Sequence, residues 1–257
     1  MTGLVLAMWW WGCSGPNQET LIEELRVVTA IADPPQQVPG QPYTLTATIA
    51  DPLELGGAWS VWTCIPELEE GTLPPDSLEG PLPEPGCISF DGELSEEEEV
   101  QATLPALPFP VFVMACHLEA CDLPDITEAQ RQDPFAWLQE LPLSGVALGQ
   151  TFPRLLDPSV PSDDRPQNPV IEASYFDGEP VTTEEEVRLS FLVPGAERAY
   201  GYTTAGGFVM TDYDVGRDGN TQLIWIAPEE AGTARLYVVF QDGEGGRAIW
   251  VADVQVE

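Results

Sequence analysis

Short runs rich in β-branched and aromatic residues recur along the first part of the chain and predict β-strands. These runs are residues 25–32, 43–50, 58–65, 111–118 and a returning run within 143–156. Residues 43–50 (YTLTATIA) alternate apolar and polar positions one by one, as in a strand with one buried face. Residues 111–118 (VFVMACHL) are apolar except at the histidine, which predicts a central strand. Asp-Pro turns at 33–34 and 51–52 complete the pattern of an antiparallel sandwich.

One segment has a helical pattern instead. Residues 125–141 (DITEAQRQDPFAWLQEL) contain Asp133 as an N-cap and Pro134 at the first helical position. We therefore expect one short helix, inserted in the first sandwich, whose apolar side chains pack on the strands.

The strand pattern restarts after residues 157–168 (DPSVPSDDRPQN), whose polar, proline-containing sequence predicts a linker. Seven runs follow, at 170–176, 186–193, 198–204, 207–212, 221–227, 233–241 and 247–256. A hairpin-type turn at 242–246 (DGEGG) joins the last two. Seven strands in about 90 residues fit one immunoglobulin-like sandwich. The predicted fold is all-β, with two immunoglobulin-like β-sandwich domains in tandem at residues 25–156 and 169–257.

Charge excludes two classes of partner. The 257 residues hold 43 acidic side chains against 9 basic ones, a formal net charge of −34. Such a chain is repelled by nucleic acid and by anionic lipid surfaces. With 43% hydrophobic residues it is also too apolar for a disordered acidic tail. The segment SEEEE at 95–99 is expected to be an exposed, solvated loop.

The start of the chain is similar to a secretion signal. Residues 3–12 (GLVLAMWWWG) are uncharged and too short to span a bilayer, but their length suits a signal peptide. The Gly12-Cys13 step and the polar residues 14–24 after it resemble the lipobox of bacterial lipoproteins, which implies lipidation of Cys13. The run lacks the usual Lys or Arg before it, and Trp10 replaces a usual Leu. The alternative is an apolar N-terminal strand with an ordinary cysteine.

Four cysteines remain after Cys13: Cys64, Cys87, Cys116 and Cys121. An even number suits two disulfides in an oxidising compartment. Pairing of nearest neighbours joins Cys64 to Cys87 and Cys116 to Cys121. The rival pairing joins Cys64 to Cys116 across adjacent strands. Zinc is disfavoured, because there is no CxxC pair and His117 is the only histidine.

Turn and core residues carry a family resemblance. The pattern ADPP…VPGQPYTLTA at 32–47 looks like the opening of bacterial immunoglobulin-like repeats. With Trp59, Trp62, Cys64 and the closing Trp225, it resembles uncharacterised envelope lipoproteins of myxobacteria-like, Gram-negative bacteria. The resemblance implies the sandwich fold and an outer-membrane location. It implies no activity. The second sandwich holds no cysteine, so a fibronectin- or PKD-like version is expected there rather than a disulfide-bridged immunoglobulin domain.

Catalytic chemistry finds little support. The chain has no GxSxG, no HExxH and, with no lysine, no phosphate-binding GxxxxGK[ST]. His117 lies in an apolar strand and is expected to be a strand or rim histidine. A carboxylate-based hydrolase is a third hypothesis only, because 43 acidic residues make chance pairs inevitable. We expect a protein that is not an enzyme.

Two weak candidate sites lie in the second domain. The first is a calcium loop with oxygen ligands at alternating positions, formed by Asp212, Asp214, Asp218 and Asn220, and its alternative is a polar hairpin turn. The second is a glycan platform at Tyr200 and Tyr202, which share one face of a strand, although such aromatics are more often structural.

The leading hypothesis is a non-enzymatic, lipid-anchored cell-envelope protein that acts in protein interaction or scaffolding. Its alternative is a carbohydrate- or surface-ligand-binding module, including calcium-dependent adhesion. The expected partners are envelope or surface proteins, or a glycan, and contact with the membrane is expected through the lipid anchor alone. No cofactor is expected other than the calcium candidate.

Overall fold

The protein is described here from a computed structural model. It describes residues 18–39, 41–65, 86–94, 99–107, 109–117, 146–151, 154–157, 159–161, 164–176 and 178–257. Within these residues no helix is long and apolar enough to cross a membrane. The predicted helix at 125–141 and the signal-peptide segment lie outside the described residues.

The first sandwich is formed by two antiparallel sheets, as the strand pattern predicts. Its strands are β1 (Arg26–Asp33), β2 (Gln36–Gln37), β3 (Pro42–Ala50), β4 (Gly57–Ile65), β5 (Gly86–Leu94), β6 (Glu99–Pro105), β7 (Val111–His117), β8 (Val146–Thr151) and β9 (Arg154–Leu155). One sheet has the order β1-β3-β6 and the other β5-β4-β7-β8, while β2 and β9 form a short parallel pair.

The core of this sandwich follows the alternation of the strands. Leu45 and Ile49 of β3 and Val61 of β4 are fully buried between the two sheets. The side chains of Phe112 and Trp62 are buried on the other face of the four-stranded sheet, where their rings stack 4.3 Å apart. Strand β7 is therefore buried on both faces, which confirms the central strand predicted from its continuous apolar run.

Strands β5 and β6 are absent from the sequence-based assignment. Strand β6 alternates regularly, with Val100, Ala102 and Leu104 buried and the residues between them exposed. The adjoining Glu run predicts a solvated loop, which conflicts with the strand that this period of two indicates. Strand β5 lies at the edge of its sheet, so that Ser89 and Phe90 are exposed and its sequence carries no apolar stripe.

Across residues 164–176 and 178–257, the second sandwich has eight strands rather than the seven predicted. They are β10 (Ala173–Tyr175), β11 (Glu186–Leu192), β12 (Arg198–Thr203), β13 (Gly207–Phe208), β14 (Asp212–Asp214), β15 (Asn220–Ile226), β16 (Gly232–Gln241) and β17 (Arg247–Val256). The sheets have the orders β10-β11-β15-β13 and β14-β12-β16-β17. The single run expected at 207–212 is wrong, because β13 pairs with β15 and β14 with β12, so the chain changes sheet between them.

Aromatic side chains fill the second core. Phe191 makes edge-to-face contacts with Phe240 and Trp250, with ring centroids 5.2 and 5.1 Å apart. Trp225 is fully buried, and its indole Nε1 donates to the carbonyl of Ala205 at 3.2 Å. The fold is therefore two immunoglobulin-like β-sandwiches in tandem, each with its own core.

Residues 18–22, before β1, lie against the second sandwich, whereas Leu25 packs in the core of the first. The backbone N–H of Ile22 donates to the carbonyl of Thr203 at 2.7 Å, and Thr20 Oγ1 accepts from the N–H of Phe208 at 3.0 Å. Thr20 and Ile22 are buried, and a short 3-10 turn, η1 (Gln18–Thr20), precedes them. Residues 18–22 of the polar leader at 14–24 therefore form a packed structural element. Its buried side chains are those of Thr20 and Ile22, which interrupt an otherwise polar sequence.

Candidate functional site: the cleft between the sandwiches

The two sandwiches share an apolar contact. Tyr237, Tyr202 and Ile249 form the outer face of the β14-β12-β16-β17 sheet. Ile22 of the leading segment and Ala50 of β3 pack against this face, and Ile22, Ala50 and Tyr237 are all almost fully buried. Burial of an outer sheet face gives the contact a hydrophobic driving force.

Asn168, at the end of the predicted linker, joins the sandwiches by hydrogen bonds. Its side-chain amide Nδ2 donates to the carbonyl of Ala32 at 2.8 Å, and its Oδ1 accepts from the backbone N–H of Arg247 at 2.9 Å. The Arg247 guanidinium in turn donates to the carbonyl of Ala30 at 3.2 Å. The linker end is thereby held between β1 and β17.

The hairpin turn at 242–246 is confirmed, and it takes part in this contact. Asp242 Oδ1 accepts from the backbone N–H groups of Glu244 and Gly246 at 2.8 and 2.7 Å, which closes the turn. The Arg154 guanidinium of the first sandwich donates to the carbonyl of Gly243 at 3.3 Å. Gly245 has φ of 96°, which favours glycine, and a Cβ atom there would lie 2.6 Å from Arg154 Nε and displace that guanidinium.

A polar cleft of about 230 Å³ lies beside these contacts. Its lining comes from both sandwiches: Ala30, Ala32, Pro35, Gln37, Tyr43, Gln150, Thr151, Arg154, Gln241, Gly245 and Arg247. Two guanidinium groups, Arg154 and Arg247, thus line one small cavity of a chain whose net charge is −34.

Two buried polar atoms in the lining have no hydrogen-bond partner in the described structure. They are Gln37 Oε1 and the Tyr43 hydroxyl, and both side chains are at least 97% buried. Gln37 Nε2 donates to the carbonyls of Pro34 and Pro35 at 2.8 and 3.2 Å. Because carbonyls accept only, the amide orientation is fixed and Oε1 remains an acceptor. Burial raises the pKa of Tyr43 to about 12, so its hydroxyl keeps its proton and can donate.

The sequence-predicted tyrosines lie next to this region. The guanidinium of Arg26 lies over the Tyr202 ring, 4.6 Å from its centroid, and Tyr202 packs in the contact between the sandwiches. Tyr200 is half-buried on the same strand and pairs with Asp212 of β14. Tyr200 and Tyr202 lie on one strand as predicted, but the Arg26 guanidinium covers the Tyr202 ring. The glycan platform stays a prediction.

The four predicted calcium ligands have protein partners. Asp212 and Asp214 each lie 3.0 Å from the Arg198 guanidinium. Asp218 accepts from the side-chain amide of Asn220 at 2.8 Å, which holds the pKa of that carboxyl below its usual value. In the described part of the chain, no three His, Cys, Asp or Glu side chains lie close enough together to hold a metal ion. Calcium binding stays a prediction.

Strand register decides between the cysteine pairings. Cys64 and Cys116 are disulfide-bonded, and the register places Cys87 directly opposite Cys64. Cys116 lies opposite Ala58, six residues from Cys64 along β4, or about 20 Å at strand spacing. A disulfide needs Cα atoms within about 7 Å, so the Cys64–Cys116 pairing is wrong. The bond of Cys64 to Cys87 and that of Cys116 to Cys121 remain predictions, since the side chains of Cys87 and Cys121 lie outside the described residues.

The only histidine has a structural partner. His117 Nε2 lies 3.3 Å from Asp51 Oδ1, and both side chains are largely buried. Asp51 Oδ2 accepts from the backbone N–H of Gly56 at 3.0 Å, which ties the pair to the loop before β4. This geometry is that of a histidine which fixes a loop at the rim of the sandwich.

Comparison with known proteins adds no family. No protein-family model matches the chain, and no curated protein matches it. Among solved structures, the D0-D1 domain of intimin is 9% identical with a TM-score of 0.27, over 89% of this chain and 98% of that one. Escherichia coli alpha-2-macroglobulin is 11% identical with a TM-score of 0.25, over 92% of this chain and 22% of that one. Latent PorU from Porphyromonas gingivalis is 9% identical with a TM-score of 0.25, over 91% and 24%. The assignment to tandem immunoglobulin-like sandwiches therefore rests on the sheet topology described above.

Proposed function

We propose that this chain is a non-enzymatic interaction or scaffolding protein of the cell envelope, anchored by lipid on Cys13. The observation that carries the proposal is the joint between the sandwiches. Adjacent domains usually move relative to one another unless their contact is well packed. Here Ile22 and Asn168 hold two sandwiches in one arrangement by apolar and polar contacts.

A fixed arrangement suits a scaffold. Ordering flexible parts costs free energy on binding, so surfaces held in place beforehand bind a partner more tightly for the same contacts. Exposed apolar side chains such as Tyr175 and Val251 of the second sandwich remain available for such contacts. Because Arg26 covers the Tyr202 ring, the two tyrosines give the carbohydrate-binding alternative little support. Its support comes from the polar cleft between the sandwiches.

The anchor is tested by membrane fractionation. Cys13→Ala should move the protein from the membrane to the soluble fraction and remove the lipid from its intact mass. Ser14→Ala, its neighbour, is the matched control and should stay with the membrane. Unchanged fractionation of Cys13→Ala would contradict the anchor.

The scaffold is tested by loosening the joint. Asn168→Ala removes both hydrogen bonds of the side chain and should widen the distribution of distances between spin labels on the two sandwiches. A partner purified with the detergent-solubilised wild type should bind this variant more weakly. Equal affinity despite a widened distribution would show that the fixed arrangement has no part in binding.

A further inference from the structure

We propose that the cleft between the sandwiches binds a small oxyanion that also carries a hydroxyl group, such as a sugar acid or a phosphate monoanion. This inference goes beyond the scaffolding role and does not depend on the lipid anchor.

The two arginines of the cleft supply the positive charge. Arg188, Arg198 and Arg235, on the surface of the second sandwich, each lie within 3.2 Å of a carboxylate. In contrast, Arg154 and Arg247 donate to backbone carbonyls, and no carboxylate of the described residues lies within ion-pair distance of them. A guanidinium has five N–H donors in a planar fork, so each retains donors suited to an oxyanion.

The unpartnered atoms define what else the ligand carries. A buried polar atom without a partner destabilises a fold by about 1–3 kcal/mol, so a ligand that partners both atoms of this lining would gain free energy from them. The Tyr43 hydroxyl can donate to an anionic oxygen. Gln37 Oε1 can only accept, so its partner must bring a donor proton, which a hydroxyl group of the ligand would supply. Sulfate lacks that proton, and a neutral sugar lacks the charge that the guanidinium groups favour.

The size and position of the cleft restrict the ligand further. Its volume of about 230 Å³ is below the roughly 300–1,000 Å³ of sites for drug-sized molecules, which favours a single small ligand. Ligand sites occur preferentially where domains meet, and residues of both sandwiches line this one. A ligand there would contact Tyr43 of the first sandwich and Arg247 of the second.

Calorimetric titration of the full chain tests the proposal, with D-glucuronate and phosphate at about pH 6 as probes. At least one should bind saturably, at least about tenfold more tightly than D-glucose and sulfate, because only these probes offer both groups. The tighter of the two identifies the source of the oxyanion. Absence of saturable binding of both, or equal binding of D-glucose or sulfate, would overturn the proposal.

Two variants with matched controls locate the site. Tyr43→Phe removes only the hydroxyl and should weaken binding of the tighter probe about tenfold, whereas Tyr175→Phe, on the exposed surface, should not. Arg154→Gln should weaken binding likewise, with Arg188→Gln as its control. Without ligand, Tyr43→Phe should melt no lower than the wild type, since it removes an unpartnered atom. Wild-type affinity in both cleft variants would show that the anion binds elsewhere.

Discussion

Gly201 of β12 faces the ring of Phe208 inside the second sandwich, where a side chain would have no room. A Cβ atom at this position would lie 2.6 Å from Phe208 Cγ, and Phe208 is fully buried. Gly201→Ala is therefore expected to lower the free energy of unfolding by about 1–3 kcal/mol. Gly232→Ala is the matched control, because a Cβ atom there meets nothing within 4 Å. Urea unfolding measures both, and equal stability of the two variants would contradict the packing described.

An exposed ion pair makes a pH-dependent contribution to stability. The Arg235 guanidinium donates to both carboxylate oxygens of Asp253, at 2.6 and 3.1 Å, and holds the pKa of that carboxyl below its usual 3.8. A carboxyl whose pKa is lowered on folding stabilises the fold above its unfolded pKa. This contribution is lost as the pH falls through the folded value.

Asp253→Asn should therefore lower stability at neutral pH and have no effect in strong acid. Because both side chains are at least a third exposed, solvent screening limits the loss to below about 1 kcal/mol at pH 7. The loss should shrink as the pH falls through the lowered pKa of Asp253 and vanish in strong acid, where the wild-type carboxyl is protonated as well. Denaturant unfolding at the two pH values measures it, and Glu230→Gln, at an exposed acid, serves as the control. A loss that persists unchanged in acid would rule out the linkage.

Single residues of the core were predictable from the sequence, and those of the cleft were not. Trp225 and Val113 lie in apolar runs, where neighbours in sequence already indicate burial. The cleft joins Gln37 and Tyr43 to Arg247, about 200 residues away, and no local pattern links them. The sequence carries one signal related to the cleft, which is the scarcity of basic residues: 9 against 43 acidic ones.

At the scale of elements, the segment before β1 acts as part of the second sandwich. Ile22 is almost fully buried against Tyr237, while its neighbour Glu23 is exposed. Ile22→Ala should lower the free energy of unfolding by about 2–5 kcal/mol, as is typical of truncating a buried side chain. Glu23→Ala should have little effect. Urea unfolding measures both changes.

Hydrogen exchange distinguishes where this stability is lost. If Ile22 stabilises the joint, its truncation should speed amide exchange in residues 18–22 and at Thr203, next to which these residues lie. Faster exchange confined to the first sandwich would contradict the placement of this segment.

Strands were predictable where burial of one face leaves a period of two in the sequence, as in β3. They were least predictable at the edges of sheets and where the chain crosses from one sheet to the other. Strand β5 lacks an apolar stripe because it lies at an edge. Strands β13 and β14 are two and three residues long, too short for a period to show. A tertiary contact also recruits residues 18–22, which belong to the segment 14–24 that local polarity predicts to be a leader.

At the scale of the whole molecule, a net charge of −34 opposes the compact state by self-repulsion. Raising NaCl from about 10 to about 150 mM shortens the screening length from about 30 to about 8 Å. We therefore expect the melting temperature to rise over this range, as in a protein suited to a saline habitat. Calorimetry measures the rise, and sucrose of equal osmolarity is the control for general exclusion effects. Equal melting temperatures in low and high salt would show that repulsion among the acidic side chains does not destabilise the fold.

If Cys13 carries a lipid, the position of residues 18–22 also determines which sandwich lies nearer the membrane. Only four residues, 14–17, separate Cys13 from Gln18, and the five steps along the chain reach at most about 18 Å when extended. Since Thr20 and Ile22 are fixed to the second sandwich, a lipid on Cys13 would tether that sandwich closest to the bilayer, although it comes last in the chain. The order of the domains outward from the membrane would then be the reverse of their order in the sequence.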